Sequence, residues 1–287
     1  MDLAYSKEYE HFRATTRAFL EKHRAQFPKP YGGGRPSPEM MAWQKLLIEN
    51  GYAARTIPSE YGGYGADPDI LKSRIISEEF TRAKAPMGLA GQGISMLVPT
   101  LLEVGSEEQK RKYIAPTLRG EIIWCQGYSE PGAGSDLASL QTRGMEDGHD
   151  FIINGQKIWT STAQSADMIF CLVRTESERA KHQGISYILF SMKTPGIEVR
   201  PLKTMTGNAE FNEVFFTNVR VPQDNVVGGR GQGWFVANAT LKHERGMLGD
   251  PNAGQTRLKQ IIELMQTETV GGEKLMDNPV FRDRLMK

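Results

Sequence analysis

The sequence predicts an α+β fold in three parts: an N-terminal helical domain over 1–121, a central β-barrel or sandwich domain over 122–230, and an incomplete C-terminal helical domain over 231–287. Three observations carry that expectation. Apolar residues recur at helical spacing, with capping signals, as far as Gly120. From Ile122 the pattern changes to short β-rich runs divided by Gly, Asn and Pro turn signals. Helical spacing returns at Trp234 and stops abruptly after Leu285, partway through what reads as a further helix.

In the first part, Phe12, Thr16, Phe19 and Leu20 share a helical face within Glu8–Lys22. Gly32-Gly33-Gly34 and Pro36 mark a loop. Ser37 followed by Pro38 is an N-cap with proline at the first helical position, and that helix runs through Ile48 to a stop at Asn50-Gly51. A glycine-rich turn over Ile57–Gly65 precedes a helix over Asp69–Arg82, and a glycine-punctuated helix continues through Leu102. Ser106-Glu107-Glu108-Gln109 is a capping box with acids in the first turn, launching a helix that ends near Gly120.

The β part holds runs at 122–128, 140–145, 150–154, 156–161, 167–174, 185–192, 196–202 and 212–221. Asn154-Gly155 predicts a hairpin turn, which sets Trp159 on the returning strand. Gly228–Gly233 closes this part. Ala237, Leu241 and Arg245 then keep helical spacing until Asp250-Pro251-Asn252, where proline interrupts the helix.

Over 287 residues the hydrophobic content is 39% and the formal net charge is +1. That is enough apolar material for two or three cores, and no bulk basicity suits a nucleic acid. Cys125 and Cys171 both lie in apolar runs and read as buried free thiols in a reducing compartment. His11, His23, His149, His182 and His243 are scattered, without cysteines at ligand spacing, which argues against a metal centre. The N-terminus has no apolar signal core and no run is long enough to span a membrane, so the expectation is a cytoplasmic protein. Gly132-Ala133-Gly134 is no dinucleotide fingerprint, because Leu137 stands where a third glycine belongs and no βαβ unit follows.

The most informative stretch is Gln126-Gly127-Tyr128-Ser129-Glu130-Pro131-Gly132-Ala133-Gly134-Ser135, with Asp136 after it and Ile158-Trp159-Thr160-Ser161 further on. It leaves a buried strand and breaks at Pro131 and two glycines, where backbone N–H groups can face a ligand unobstructed. With Pro58–Gly63, Gly105–Gly120, Phe211–Pro222 and Gly231–Trp234, these segments resemble, in order, those of the acyl-CoA dehydrogenase family. The resemblance implies a helical domain, a central β domain and a C-terminal helical bundle, incomplete here, with FAD between the last two. It implies a flavoenzyme that desaturates acyl-CoA thioesters, an electron-transfer flavoprotein as electron acceptor, and a homo- or hetero-oligomer with related subunits.

Residue by residue, the resemblance lays Gln126, Gly127, Tyr128 and Ser129 along the flavin. Trp159, Thr160 and Ser161 cover the ring and reach its N5 edge, and Ser135 meets the thioester end of the substrate. A subset of the family carries its catalytic base in a Leu-x-x-Glu-Arg pattern on the first helix of the last domain. Leu241-Lys242-His243-Glu244-Arg245 matches it, so Glu244 is expected to take the α-proton, with His243 and Arg245 beside the substrate. The plainer reading of Glu244 is a surface carboxylate paired along its helix; its register after Gly231–Trp234 favours the base. A second reading of the whole chain is a truncated, non-catalytic subunit that packs with a full-length homologue.

Overall fold

Three helices, α1 (Lys7–Lys22), α2 (Pro38–Glu49) and α3 (Ile70–Ala83), form the first layer of the computed structural model, which describes residues 5–245 and 251–287. Their inner faces meet at Phe19, Leu20, Met40, Trp43, Leu47 and Phe80. The helix starts follow the local chemistry. Ser37 Oγ accepts from Met40 N at 3.2 Å, Asp69 Oδ1 from Lys72 N at 2.9 Å, and Ser106 and Gln109 cap each other reciprocally. A π-helical turn at Gly93–Leu97 runs into α4 (Val98–Val104), and α5 (Glu107–Leu118) follows the capping box.

The β part is one mixed sheet of eight strands: β1 (Trp124–Gly127), β2 (Arg143–Asp147), β3 (Asp150–Lys157), β4 (Met168–Arg174), β5 (Ile185–Ser191), β6 (Ile197–Leu202), β7 (Phe211–Pro222) and β8 (Val226–Val227). The order is β6-β7-β3-β2-β4-β5-β8, with β1 lying parallel to β4. β4 is buried on both faces. Phe170 and Leu172 pack with Leu97, Leu101, Ile114 and Leu118 of the helical layer, while Ile169, Cys171 and Val173 pack with Phe151, Ile153, Val214 and Val219 of β3 and β7. The sheet therefore encloses a core of its own, as a small barrel or sandwich requires.

One strand expectation fails. Asn154-Gly155 is not a turn: β3 runs straight through it, and the β2–β3 hairpin closes at Gly148-His149, with Asp147 opposite Asp150 and Gly148 at a φ of 64°. The bulge lies across from it on β7, where Thr217 and Asn218, the latter at a φ of 52°, together face the single residue Asn154 as the β3–β7 register shifts. Asn154 Oδ1 accepts from Asn218 N at 2.8 Å, and Gly155, at a φ of 153°, passes so close to Thr142 that a Cβ would stand 2.5 Å from its Oγ1. Trp159 thus lies beyond the end of β3, not on a returning strand.

Helix α6 (Gly233–Arg245) packs Val236 and Ala237 on the sheet. The unit so far described ends at His243, and a second runs from Glu244 to Lys287. The second unit holds α7 (Pro251–Thr267), the short strands β9 (Thr269–Val270) and β10 (Glu273–Lys274), and α8 (Pro279–Met286). Of the expected break at Asp250-Pro251-Asn252, Asp250 lies outside the described residues and Pro251 is the first residue of α7. Among the described residues no helix is long and apolar enough to cross a membrane.

The helical layer is clamped by one buried carboxylate. Glu79 of α3 is met by Arg13 and Arg17 of α1 and Arg82 of its own helix at 2.8, 2.7 and 2.8 Å. Burial alone would raise its pKa; the three guanidinium partners outweigh that and lower it from 4.5 to about 2. A folded-state value below the unfolded one adds stability in full above pH about 4.5, lost as the pH falls toward 2. Glu79→Gln is expected to cost about 3 kcal/mol at neutral pH. In urea unfolding at several pH values the gap to wild type should close over that acidic window, and a constant gap would contradict the assignment.

Candidate functional site

Two chain segments leave the sheet side by side. The first follows β1. Gly127 has a packing role: a Cβ there would stand 2.8 Å from Ile169 Cδ1 and 2.9 Å from Cys171 Sγ, so its glycine lets β1 lie tight on β4. Gln126 is half-buried on the same strand, opposite Phe170. Tyr128 turns into the core, edge-on to Phe170 and Tyr187. Ser129 is half-buried, and a reciprocal pair of backbone bonds between Glu130 and Ala133, both 3.0 Å, closes a tight turn with Pro131-Gly132 at its tip. The Cβ sides of Gly132 and Gly134 face open space. Ser135 is exposed, and Asp136 beside it pairs with Lys181.

The second segment follows β3. Trp159 and Thr162 both take left-handed backbone, with φ of 60° and 61°. For non-glycine residues such conformations cost roughly 1–3 kcal/mol each and persist only where the surroundings impose them. Asn212 of β7, fully buried, imposes them here. Its carbonyl accepts from Thr160 N at 3.0 Å and its Nδ2 donates to Thr160 O at 2.8 Å. The result presents Trp159 outward, 60% exposed, with its ring edge-on to Phe211. Thr160 points inward and is buried, while Ser161 is half-buried.

The segments are stapled by a pair that sequence reasoning passed over. Lys157, the last residue of β3, is completely buried; its Nζ donates to Glu130 Oε1 at 2.8 Å and to Tyr128 O at 3.0 Å. Glu130 also accepts from Gln141 N at 2.6 Å and Thr142 N at 2.9 Å. Burial would raise the Glu130 pKa, but the Lys157 charge and these hydrogen bonds outweigh it and hold the carboxyl below its ordinary value. Next to the pair, Ile158 N donates to Ser129 O at 2.9 Å. The signal was present: Phe151, Ile153 and Lys157 fall on one face of β3 by the two-residue period, so a lysine stands at an inward position and needs a buried anion.

This surface suits a planar, polar-edged cofactor. The Ser129 and Ser161 hydroxyls have no partner among the described residues, the indole of Trp159 lies uncovered, and the glycine turn leaves room for close approach. An isoalloxazine ring needs that combination of hydrogen-bonding edge groups and apolar cover. Beside it, Ser161 and Thr162 line a cavity of about 210 Å³ whose far wall includes Gly33, Gly91, Gly93 and Ile94.

The α6 candidates are placed differently. Gly233 lies so close to β5 that a Cβ would meet the Ser186 carbonyl carbon at 2.5 Å, and Gly231 N donates to Ser186 Oγ at 3.0 Å, so the helix starts anchored. Leu241 is half-buried. His243 Nε2 stands 3.5 Å from Glu103 Oε2 rather than open to solvent. Glu244 has one enclosed carboxylate oxygen, Oε2, with no hydrogen-bond partner among the described residues, and Arg245 is exposed. The structure thus brings Gln126–Ser129 and Trp159–Ser161 together. Ser135 sits on the exposed loop beyond the turn, and Glu244 and Arg245 open the second unit.

Comparison with known proteins shows the family. The model of the acyl-CoA dehydrogenase N-terminal domain matches residues 6–121, and that of the acyl-CoA dehydrogenase middle domain matches residues 125–219. Acyl-CoA dehydrogenase IpdE1 of Mycobacterium tuberculosis is 40% identical over 291 residues, which span 98% of this chain and 74% of that protein. Among solved structures, the ChsE4–ChsE5 complex of Mycobacterium tuberculosis superposes with a TM-score of 0.76 at 31% identity, covering all of this chain and 73% of that one. The Tcur3481–Tcur3483 steroid acyl-CoA dehydrogenase superposes with a TM-score of 0.74 at 33% identity, with the same coverage. The chain belongs to the acyl-CoA dehydrogenase family.

Proposed function

We propose that the chain is an FAD-dependent acyl-CoA dehydrogenase that introduces a double bond between the α and β carbons of an acyl-CoA thioester. The observation that carries this reading is the pair of stapled segments, with two hydroxyls unengaged among the described residues and an outward tryptophan on strained backbone. Gln126, Gly127, Tyr128 and Ser129 would hold FAD from one side and Trp159, Thr160 and Ser161 from the other. Bound FAD supplies the acceptor for the β-hydride. The chain's own groups do the rest. Glu244 takes the α-proton, a role supported by an enclosed carboxylate oxygen that carries no donor among the described residues. Ser135, His243 and Arg245 orient the thioester and its CoA, and backbone N–H groups offset the charge that develops on the thioester oxygen.

The cavity beside Ser161 takes the acyl group. It opens to solvent and is lined by Leu89, Ile94, Ile122, Ile123 and Trp124, which suits an apolar acyl group. The similarity to a steroid acyl-CoA dehydrogenase points the same way. Assembly with related subunits is supported by the exposed Leu258, Ile261, Leu264 and Phe281 of the second unit, and by the similarity to the ChsE4–ChsE5 complex. An electron-transfer flavoprotein is the acceptor we assign, and the two free, buried cysteines fit a reducing, cytoplasmic setting.

Two experiments test this reading. In the first, FAD-loaded wild type and Glu244→Gln are mixed with butyryl-, octanoyl-, palmitoyl-, isovaleryl- and steroid side-chain acyl-CoA, and loss of the yellow absorbance is followed in a single turnover. The variant should bind FAD equally and bleach about 10²–10⁴ times more slowly. Equal rates would remove Glu244 from the mechanism, and a wild type that nothing bleaches would favour the non-catalytic subunit. The second concerns the staple. Lys157→Met leaves a carboxylate buried without its charge partner, which costs about 3–5 kcal/mol, and frees the two segments from one another. Thermal unfolding should show the loss, and FAD content at equal folded protein should drop. Wild-type FAD content in a folded variant would separate the ion pair from the cofactor site.

A further inference from the structure

The face of α6 that meets the sheet is apolar except at Thr240. Thr240 is fully buried, as are Thr100 on α4 and Tyr187 on β5. Their hydroxyls form a chain. Thr100 Oγ1 donates to Thr240 Oγ1 at 3.0 Å, Thr240 Oγ1 stands 3.4 Å from Tyr187 Oη, and Tyr187 is hydrogen-bonded in turn to Tyr128. Each threonine also reaches the carbonyl one turn back, Met96 O at 2.7 Å and Val236 O at 3.1 Å. The threonines are therefore satisfied in any helix register. Tyr187 has no carbonyl of its own to turn to: moving Thr240 away removes one of its two hydroxyl contacts and leaves Tyr128 alone.

The two ends of this chain matter. Tyr128 immediately precedes Ser129 in the first segment, and its carbonyl takes the Lys157 ammonium. At the other end, Val236, Thr240 and Glu244 recur at four-residue spacing, so Glu244 follows Thr240 by one turn on the same side of α6. A slip of α6 by one residue would turn Thr240 by about 100° away from Tyr187. Single buried polar contacts of this kind are known to fix helix register.

We propose that Thr240 and Tyr187 are positioning residues: their hydroxyl contact fixes the rotation of α6 against the Tyr128–Ser129 segment and so sets where Glu244 stands for proton abstraction. The inference rests on Glu244 as the base. Thr240→Val and Tyr187→Phe remove the contact with little change of shape, Thr240→Ser retains it, and Glu244→Gln serves as reference.

Two readouts are compared. In FAD-free protein, amide exchange over Leu241–Arg245 should speed by about tenfold or more in Thr240→Val and Tyr187→Phe while the sheet is unchanged. With FAD and the same acyl-CoA panel, the limiting bleaching rate should fall by about tenfold or more, as small misplacements of a reacting group do. FAD content and half-saturating acyl-CoA should stay within about twofold of wild type. Thr240→Ser should match wild type in both. If Thr240→Val does not fold, Tyr187→Phe decides. Wild-type exchange or a wild-type limiting rate in the hydroxyl-deleted variants, with Glu244→Gln slow, overturns the positioning role alone. A wild-type rate in Glu244→Gln, or no bleaching of wild type, overturns the base and the positioning role together.

Discussion

A charge with no water around it holds the two halves of the site together. The Lys157 ammonium is completely buried, and an unpaired ammonium in an apolar interior is untenable. It must therefore keep the Glu130 carboxylate and the Tyr128 carbonyl within hydrogen-bond reach. Lys157 ends β3 and Glu130 follows β1, so this demand fixes the spacing of two segments that are not neighbours in the sheet. Glu130 in turn occupies the backbone donors of Gln141 and Thr142, which places the entry to β2 as well. A pair of this kind adds little net stability over an apolar replacement, but removing one member is severe. Its value lies in geometry: beside the pair, Ile158 N donates to the Ser129 carbonyl at 2.9 Å, so charge pair and backbone bond join the same two segments.

Strain is concentrated where that geometry is used. Trp159 and Thr162 sit in left-handed backbone, and the clamp by the buried Asn212 side chain keeps them there. Apolar packing would not select an arrangement that turns a tryptophan toward solvent. A flat ligand that covers the indole and meets the Ser129 and Ser161 hydroxyls gives the strain a purpose. The close glycine contact of Gly233 with β5 and the buried threonine–tyrosine hydroxyl chain tie α6 to β5 and α4, so the helix that carries Glu244 grows from a fixed base.

Much of this was legible in the residues, for local reasons. Ser37-Pro38 and Ser106–Gln109 announce helix starts because their caps need only neighbours in sequence. The alternation from helical spacing to short β runs located the sheet, and the glycine turn after Ser129 announced an open cradle. Asn154-Gly155 misled because the dipeptide favours turns in general, whereas here the glycine lets β3 pass close to Thr142 and Asn154 faces the bulge of β7 at Thr217-Asn218, contacts made with other strands. The Lys157–Glu130 pair and the Arg13–Glu79 pair span 27 and 66 residues. No short-range pattern names the partner of a buried charge, although the inward register of Lys157 says that one must exist. The outward Trp159 was hidden for a related reason: its direction is set by Asn212, which lies on another strand.

The central claim is that the two stapled segments act as a single cradle for FAD. Amide hydrogen exchange measured on the intact chain with and without FAD tests it directly. The result expected is joint protection of 126–136 and 158–162, rising together along one FAD titration, with the α1–α3 layer unchanged. Protection of one segment without the other, or of neither at FAD concentrations that saturate any bound flavin signal, would contradict it.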